Sequence, residues 1–66
     1  MTKYETILWI FMAVHEAENS RELDDLKEAL YRVKLAHLHG YLDKQEVCDL
    51  FNFMKRILGT LELKEN

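Results

Sequence analysis

The stretch Ile7–Val14, "ILWIFMAV", contains no polar side chain, and its reading decides the fold of the chain. Four structures can begin this way: a membrane anchor, a buried strand, a core helix and a helix that binds a partner. A transmembrane helix needs about 20 apolar residues, and this run holds eight. A secretory leader needs a basic start and a small-x-small cleavage site, but Lys3 is offset by Glu5 and "HEAEN" follows the run directly. A strand needs a second β-rich segment to pair with, and the chain offers none. The run therefore reads as a helix, in a chain expected in the cytoplasm and not in a membrane.

Composition supports helices elsewhere. There is no proline and there are only two glycines, Gly40 and Gly59, while Leu, Glu, Lys and Ala are plentiful. Helix formers are favoured and the turn chemistry of a small β fold is scarce. With 48% apolar and 32% charged residues, the chain lies in the range of folded domains. A single cysteine, Cys48, rules out an internal disulfide and suits a reducing compartment. The net charge of −3 provides no broad positive field for phosphate backbones.

Working outward, an all-α domain of three helices is expected at about 3–18, 20–39 and 43–58, within a single domain 1–66 whose tail, 60–66, frays. In the first helix Tyr4, Ile7, Leu8, Phe11 and Val14 recur at helical spacing and make one apolar face. Trp9, Ile10, Met12 and Ala13 fall on the others. "ENSRELDDL" provides the next boundary: Asn19 or Ser20 is the expected N-cap, with Glu22 closing a capping box on Asn19. Leu23, Leu26, Leu30, Val33 and His37 then form a seam, Tyr31, Leu35 and Leu38 a second stripe, and Glu28 and Arg32 an exposed pair. Gly40 suits the left-handed position after a helix, and "DKQE" repeats the capping-box pattern at Asp43 and Glu46. Val47, Leu50, Phe51, Met54, Ile57 and Leu58 make the third core face, and Phe53 lies off it.

Short connections favour antiparallel neighbours, so the second and third helices are expected as a hairpin with the N-terminal helix packed across it. One face per helix leaves Trp9, Ile10, Met12, Tyr31, Leu35 and Phe53 over. A helix apolar all round must be surrounded, and a small domain cannot leave so much apolar surface in water without inviting association. These six residues are the expected interface, and a homodimer is the expected means of covering them.

Chemistry is sparse. His37, His39, Asp43, Glu46 and Cys48 are all donor residues, but His at i and i+2 point apart on a helix and no paired Cys completes a zinc pattern. No metal or other cofactor is expected. Ser20 is the single serine, Cys48 lacks an activating signature, and the carboxylates lie along solvated helix faces. Paired acid–base roles need environments that separate pKa values, so no enzyme is expected. Ala36 and Gly40 have the separation of a DNA-binding helix-turn-helix. The next apolar position falls on Glu46, however, and the recognition helix would present Asp43, Glu46 and Asp49 to DNA, against the basic Lys44, Lys55 and Arg56. Nucleic acid is not the expected partner.

"SRELDDL" resembles the serine-x-glutamate-leucine-aspartate signature of small two-helix phosphatases that act on sporulation response regulators, matching at Ser20, Glu22, Leu23 and Asp24. That resemblance implies an antagonist of a response regulator. The chain departs from the family in its far more apolar first helix and in having a third helix. In general appearance, though through no motif, the whole chain resembles short accessory early-region proteins of temperate lambda-like bacteriophages. This second resemblance implies regulation by binding a phage or host protein. The expected function is thus a small helical homodimeric interaction module with an unidentified protein partner. A DNA-binding regulator and a phosphatase-like antagonist are the alternatives.

Overall fold

A computed structural model describes residues 2–65. The architecture is all-α, with α1 at Lys3–Ser20, α2 at Leu23–Leu38 and α3 at Lys44–Glu65. Thr2 caps α1: its Oγ1 accepts from the Glu5 amide at 3.1 Å, and the Glu5 carboxylate accepts from the Thr2 amide at 2.9 Å. The Asp43 box forms as its sequence suggests, with the Glu46 amide donating to Asp43 Oδ1 at 2.8 Å and the Asp43 amide to Glu46 Oε1 at 3.0 Å. Each box satisfies donors that a helix start leaves without partners.

The first corner differs from expectation. Asn19 and Ser20 belong to α1 and cap nothing, and the N-cap of α2 is Glu22, which makes no side-chain cap bond. Ser20 Oγ instead accepts from the Glu22 amide at 3.1 Å and donates to Asp25. The hydroxyl thus ties the corner together from the end of α1. Arg21 makes the turn in the left-handed region, φ +56°, with its amide on the Ala17 carbonyl. At the second corner Gly40 does so at φ +83°. Its amide reaches the His37 carbonyl and that of Tyr41 the Ala36 carbonyl, the double closure of a Schellman turn. The tail expected to fray continues α3 to Glu65, with Gly59 inside the helix and Leu61 buried. Asn66 lies outside the described residues.

The helices run up, down and up. Along the first seam Thr6 and Trp9 lie by Leu35 and Ala36, and Met12 and Glu16 by Arg32 and Asp25. Along the second, Val47 lies by His37 and Leu58 by Leu26. α1 thus lies alongside α2, not across the α2–α3 hairpin, and α1–α2 is the more extensive seam. The cause is side-chain size. Ala13 and Ala17 of α1 and Ala29 and Ala36 of α2 are all buried, and small residues at a seam let two backbones approach closely. Ile10, Val14, Leu26, Val33, Leu42, Met54, Ile57 and Leu61 fill the remainder of the core. Thr6 is buried among them, its hydroxyl donating to the Thr2 carbonyl at 2.9 Å.

This packing turns α1 around relative to its expected orientation. Of the face assigned to the core, Val14 is buried and Ile7 partly so, whereas Tyr4, Leu8 and Phe11 point outward. On α2, Leu23, Leu30 and His37 are likewise exposed, and on α3 Phe51 and Leu58 sit at the edge of the core.

Candidate functional site

The six residues expected at an interface lie in separate places. Ile10 is fully buried in the chain's own core and is unavailable to a partner, because the alanine seam draws that face inward. Trp9 and Leu35 are half-buried and share a hollow with Thr6, Ala36, His39 and Tyr41. Met12 is 68% exposed beside the mouth formed by Glu16, Asp25, Glu28 and Arg32. Tyr31 is exposed on the α2–α3 side. Phe53 borders a different hollow, with Glu18, Arg56 and Thr60. No single patch unites them.

Two further apolar surfaces are exposed. The first is a stripe on α1 formed by Tyr4, Leu8 and Phe11, all exposed, with Met12 at its side. It lies opposite the buried row Thr6, Ile10, Ala13 and Ala17, so the helix is apolar on both faces and covered on one. The second is a groove between α2 and α3, to which α1 contributes no residue. Two adjoining hollows, of about 590 and 240 Å³, share Leu30 and Phe51. Leu26, Met54 and Leu58 floor one end, and Val47 the other. Lys27 and Lys34, two turns apart on α2, form one bank, and Lys55 stands on the other. No carboxylate among the described residues lines either hollow, nor lies within ion-pair distance of these three lysines. The groove is thus a positive strip on a chain of net charge −3.

The sequence marks both surfaces only in part. The row Tyr4, Leu8 and Phe11 is visible as a helical stripe, but only the alanine seam decides which stripe is buried. The lysine banks depend on how α3 sits against α2.

Several other polar side chains have structural partners. His37 Nδ1 donates to the Leu42 carbonyl at 2.9 Å, and His15 pairs with Asn19. Glu46 closes the cap of α3 and also meets Lys3 Nζ at 3.0 Å, joining the starts of α1 and α3. Its carboxyl is held below the usual 4.5, first by the Asp43 amide and then by Lys3. Cys48 is exposed. In the "SRELD" segment, Ser20 bonds within the corner and Asp24 is exposed in the first turn of α2. Among the described residues no three His, Cys, Asp or Glu side chains group as a metal site, and no helix is long and apolar enough to cross a membrane.

Comparison with known proteins finds no family model, no curated protein and no solved structure that matches this chain.

Proposed function

We propose that this chain is a protein-interaction module that acts as a helical homodimer and regulates a partner protein by occupying its surface. The observation that carries this reading is the uncovered row Tyr4, Leu8 and Phe11, continued by exposed His15. The row has the alternating four- and three-residue spacing of a coiled-coil seam. In an antiparallel pair related by a two-fold axis, Tyr4 of one copy meets His15 of the other, and Leu8 meets Phe11. The patch is therefore self-complementary, as an isologous interface requires. Glu5 of one copy then falls near Met12 of the other, away from like charge. Burying large side chains contributes about 1.5–3 kcal/mol each, a sizeable gain for so small a domain. A regulatory role exerted on a phage or host protein is the form of this reading that the sequence resemblance implies.

The test is solution mass by light scattering across micromolar concentrations. The wild type should reach twice the chain mass. Leu8→Asp and Phe11→Asp should return it to one chain mass with unchanged helical circular dichroism, while Phe53→Ser should leave the dimer intact. A wild-type monomer, or a dimer indifferent to Leu8→Asp, would overturn the proposal.

A further inference from the structure

We propose that the lysine-banked groove between α2 and α3 is a docking site for an acidic amphipathic helix of a partner protein. The proposal deepens the interaction-module reading, but it rests on a surface to which α1 contributes nothing.

Shape, length and charge converge on that occupant. The groove is concave and its floor is apolar, with Leu30 and Phe51 at its centre and Leu58 toward one end. From Leu26 to His37 it runs eleven residues along α2, about 16 Å at the helical rise. That length takes about three turns of a docked helix, which would enter by apolar side chains at i, i+3 or i+4, and i+7. Lys27 and Lys34 on one bank and Lys55 on the other would meet carboxylates on both flanks of that helix. The three ammonium groups have no carboxylate within 4 Å among the described residues, so docking breaks no ion pair described within the chain. A second copy's α1 is a poor occupant. Its contact with this groove would join two different patches, unlike the self-complementary seam that the α1 row forms with its own copy.

The probe is a synthetic helical peptide of about 15 residues, near the length at which an isolated helix begins to hold. It carries Leu at the anchor positions and Glu on both flanks, with a control carrying Lys in place of Glu. Titration into the full chain is followed by calorimetry and by amide shifts. The acidic peptide should bind saturably in the micromolar range, moving the signals of Leu30, Phe51 and Leu58 and weakening as salt is raised. The control should bind at least ten-fold more weakly. Lys27→Glu/Lys34→Glu/Lys55→Glu alters exposed residues and should keep the fold while reversing that preference. Leu30→Glu should abolish binding of both peptides.

No saturable binding would overturn the proposal, as would equal affinity for both peptides or shifts confined to Leu8 and Phe11. Two alternative occupants are also checked. Sedimentation with phosphatidylglycerol-containing vesicles that is lost in the triple variant would assign the groove to a lipid surface. Self-association lost in the triple variant would assign it to a second copy. Failure here is distinguishable from failure of the dimer reading: monomeric Leu8→Asp should bind the acidic peptide as well as wild type does.

Discussion

The guanidinium of Arg32 lies 4.9 Å from the centroid of the Trp9 ring and donates through Nη1 to that residue's own carbonyl at 2.7 Å. Its Nε meanwhile donates to Glu28 at 3.0 Å. One side chain thus holds an adjacent carboxylate, an aromatic face and a backbone oxygen across the α1–α2 seam. The Glu28–Arg32 pair was legible as an i,i+4 spacing, but Arg32's reach to Trp9 depends on the antiparallel register.

Arg32→Ala removes the charge over the ring and the bond to the carbonyl together. A loss of about 1–2 kcal/mol is expected in urea unfolding, with a shift in the emission of Trp9, the single tryptophan. Arg32→Lys should recover less than half of the loss, because an ammonium lacks the planar fork that reaches both partners. Unchanged midpoints and emission in Arg32→Ala would show that the contact contributes nothing.

The two corners make opposite forecasts. Arg21 holds a left-handed conformation that costs a residue with a Cβ about 1–2 kcal/mol. Arg21→Gly should therefore stabilise the fold by about 0.5–1 kcal/mol, net of glycine's greater unfolded freedom. At Gly40 a Cβ would meet nothing within 4 Å, so Gly40→Ala should cost only the conformational term, about 1 kcal/mol. Denaturant midpoints moving in the same direction would contradict this account.

Neighbouring positions on α2 should respond very differently to substitution. Ala29 is fully buried in the seam, and Ala29→Leu should overpack it by about 1–3 kcal/mol. Leu30, the next residue, is 36% exposed in the groove, and Leu30→Ser should stay within about 1 kcal/mol of wild type. Equal losses would mean that the seam is looser than its alanines imply.

That contrast also explains what was legible in the sequence. Helix number, the Gly40 turn and the Asp43 cap follow from local spacing and turn chemistry, which the sequence carries directly. The orientation of α1 does not. Both of its faces satisfy helical periodicity, and the larger side chains Tyr4, Leu8 and Phe11 make the stronger hydrophobic signal. Close approach of two backbones selected the face with Ala13 and Ala17, a property of the pair α1–α2 that neither helix displays alone. The Asn19–Glu22 capping pattern failed for a related reason: α1 continued through Asn19 and Ser20 and left the serine hydroxyl to bind the corner.

Acid should weaken the caps in a defined window. The Glu5 carboxyl is held low chiefly by the Thr2 amide and then by the Thr2 side chain, and that of Glu46 chiefly by the Asp43 amide and then by Lys3. A folded pKa below the ordinary 4.5 means a contribution complete above 4.5 and lost as pH falls through the lowered folded value. Glu46→Gln should therefore reduce stability at neutral pH and flatten the decline below about pH 4.5. Parallel acid limbs in wild type and variant, measured by urea midpoints, would refute the assignment.

The alanine seam has a kinetic consequence as well. Its helices are consecutive in the chain and separated only by Arg21 and Glu22, so their pairing closes a very short loop and little entropy is lost before contacts form. A topology this local belongs among fast folders, and α1–α2 is the natural nucleus onto which α3 condenses. Stopped-flow or temperature-jump kinetics should then show Ala13→Gly slowing refolding, while Met54→Ala on α3 mainly hastens unfolding.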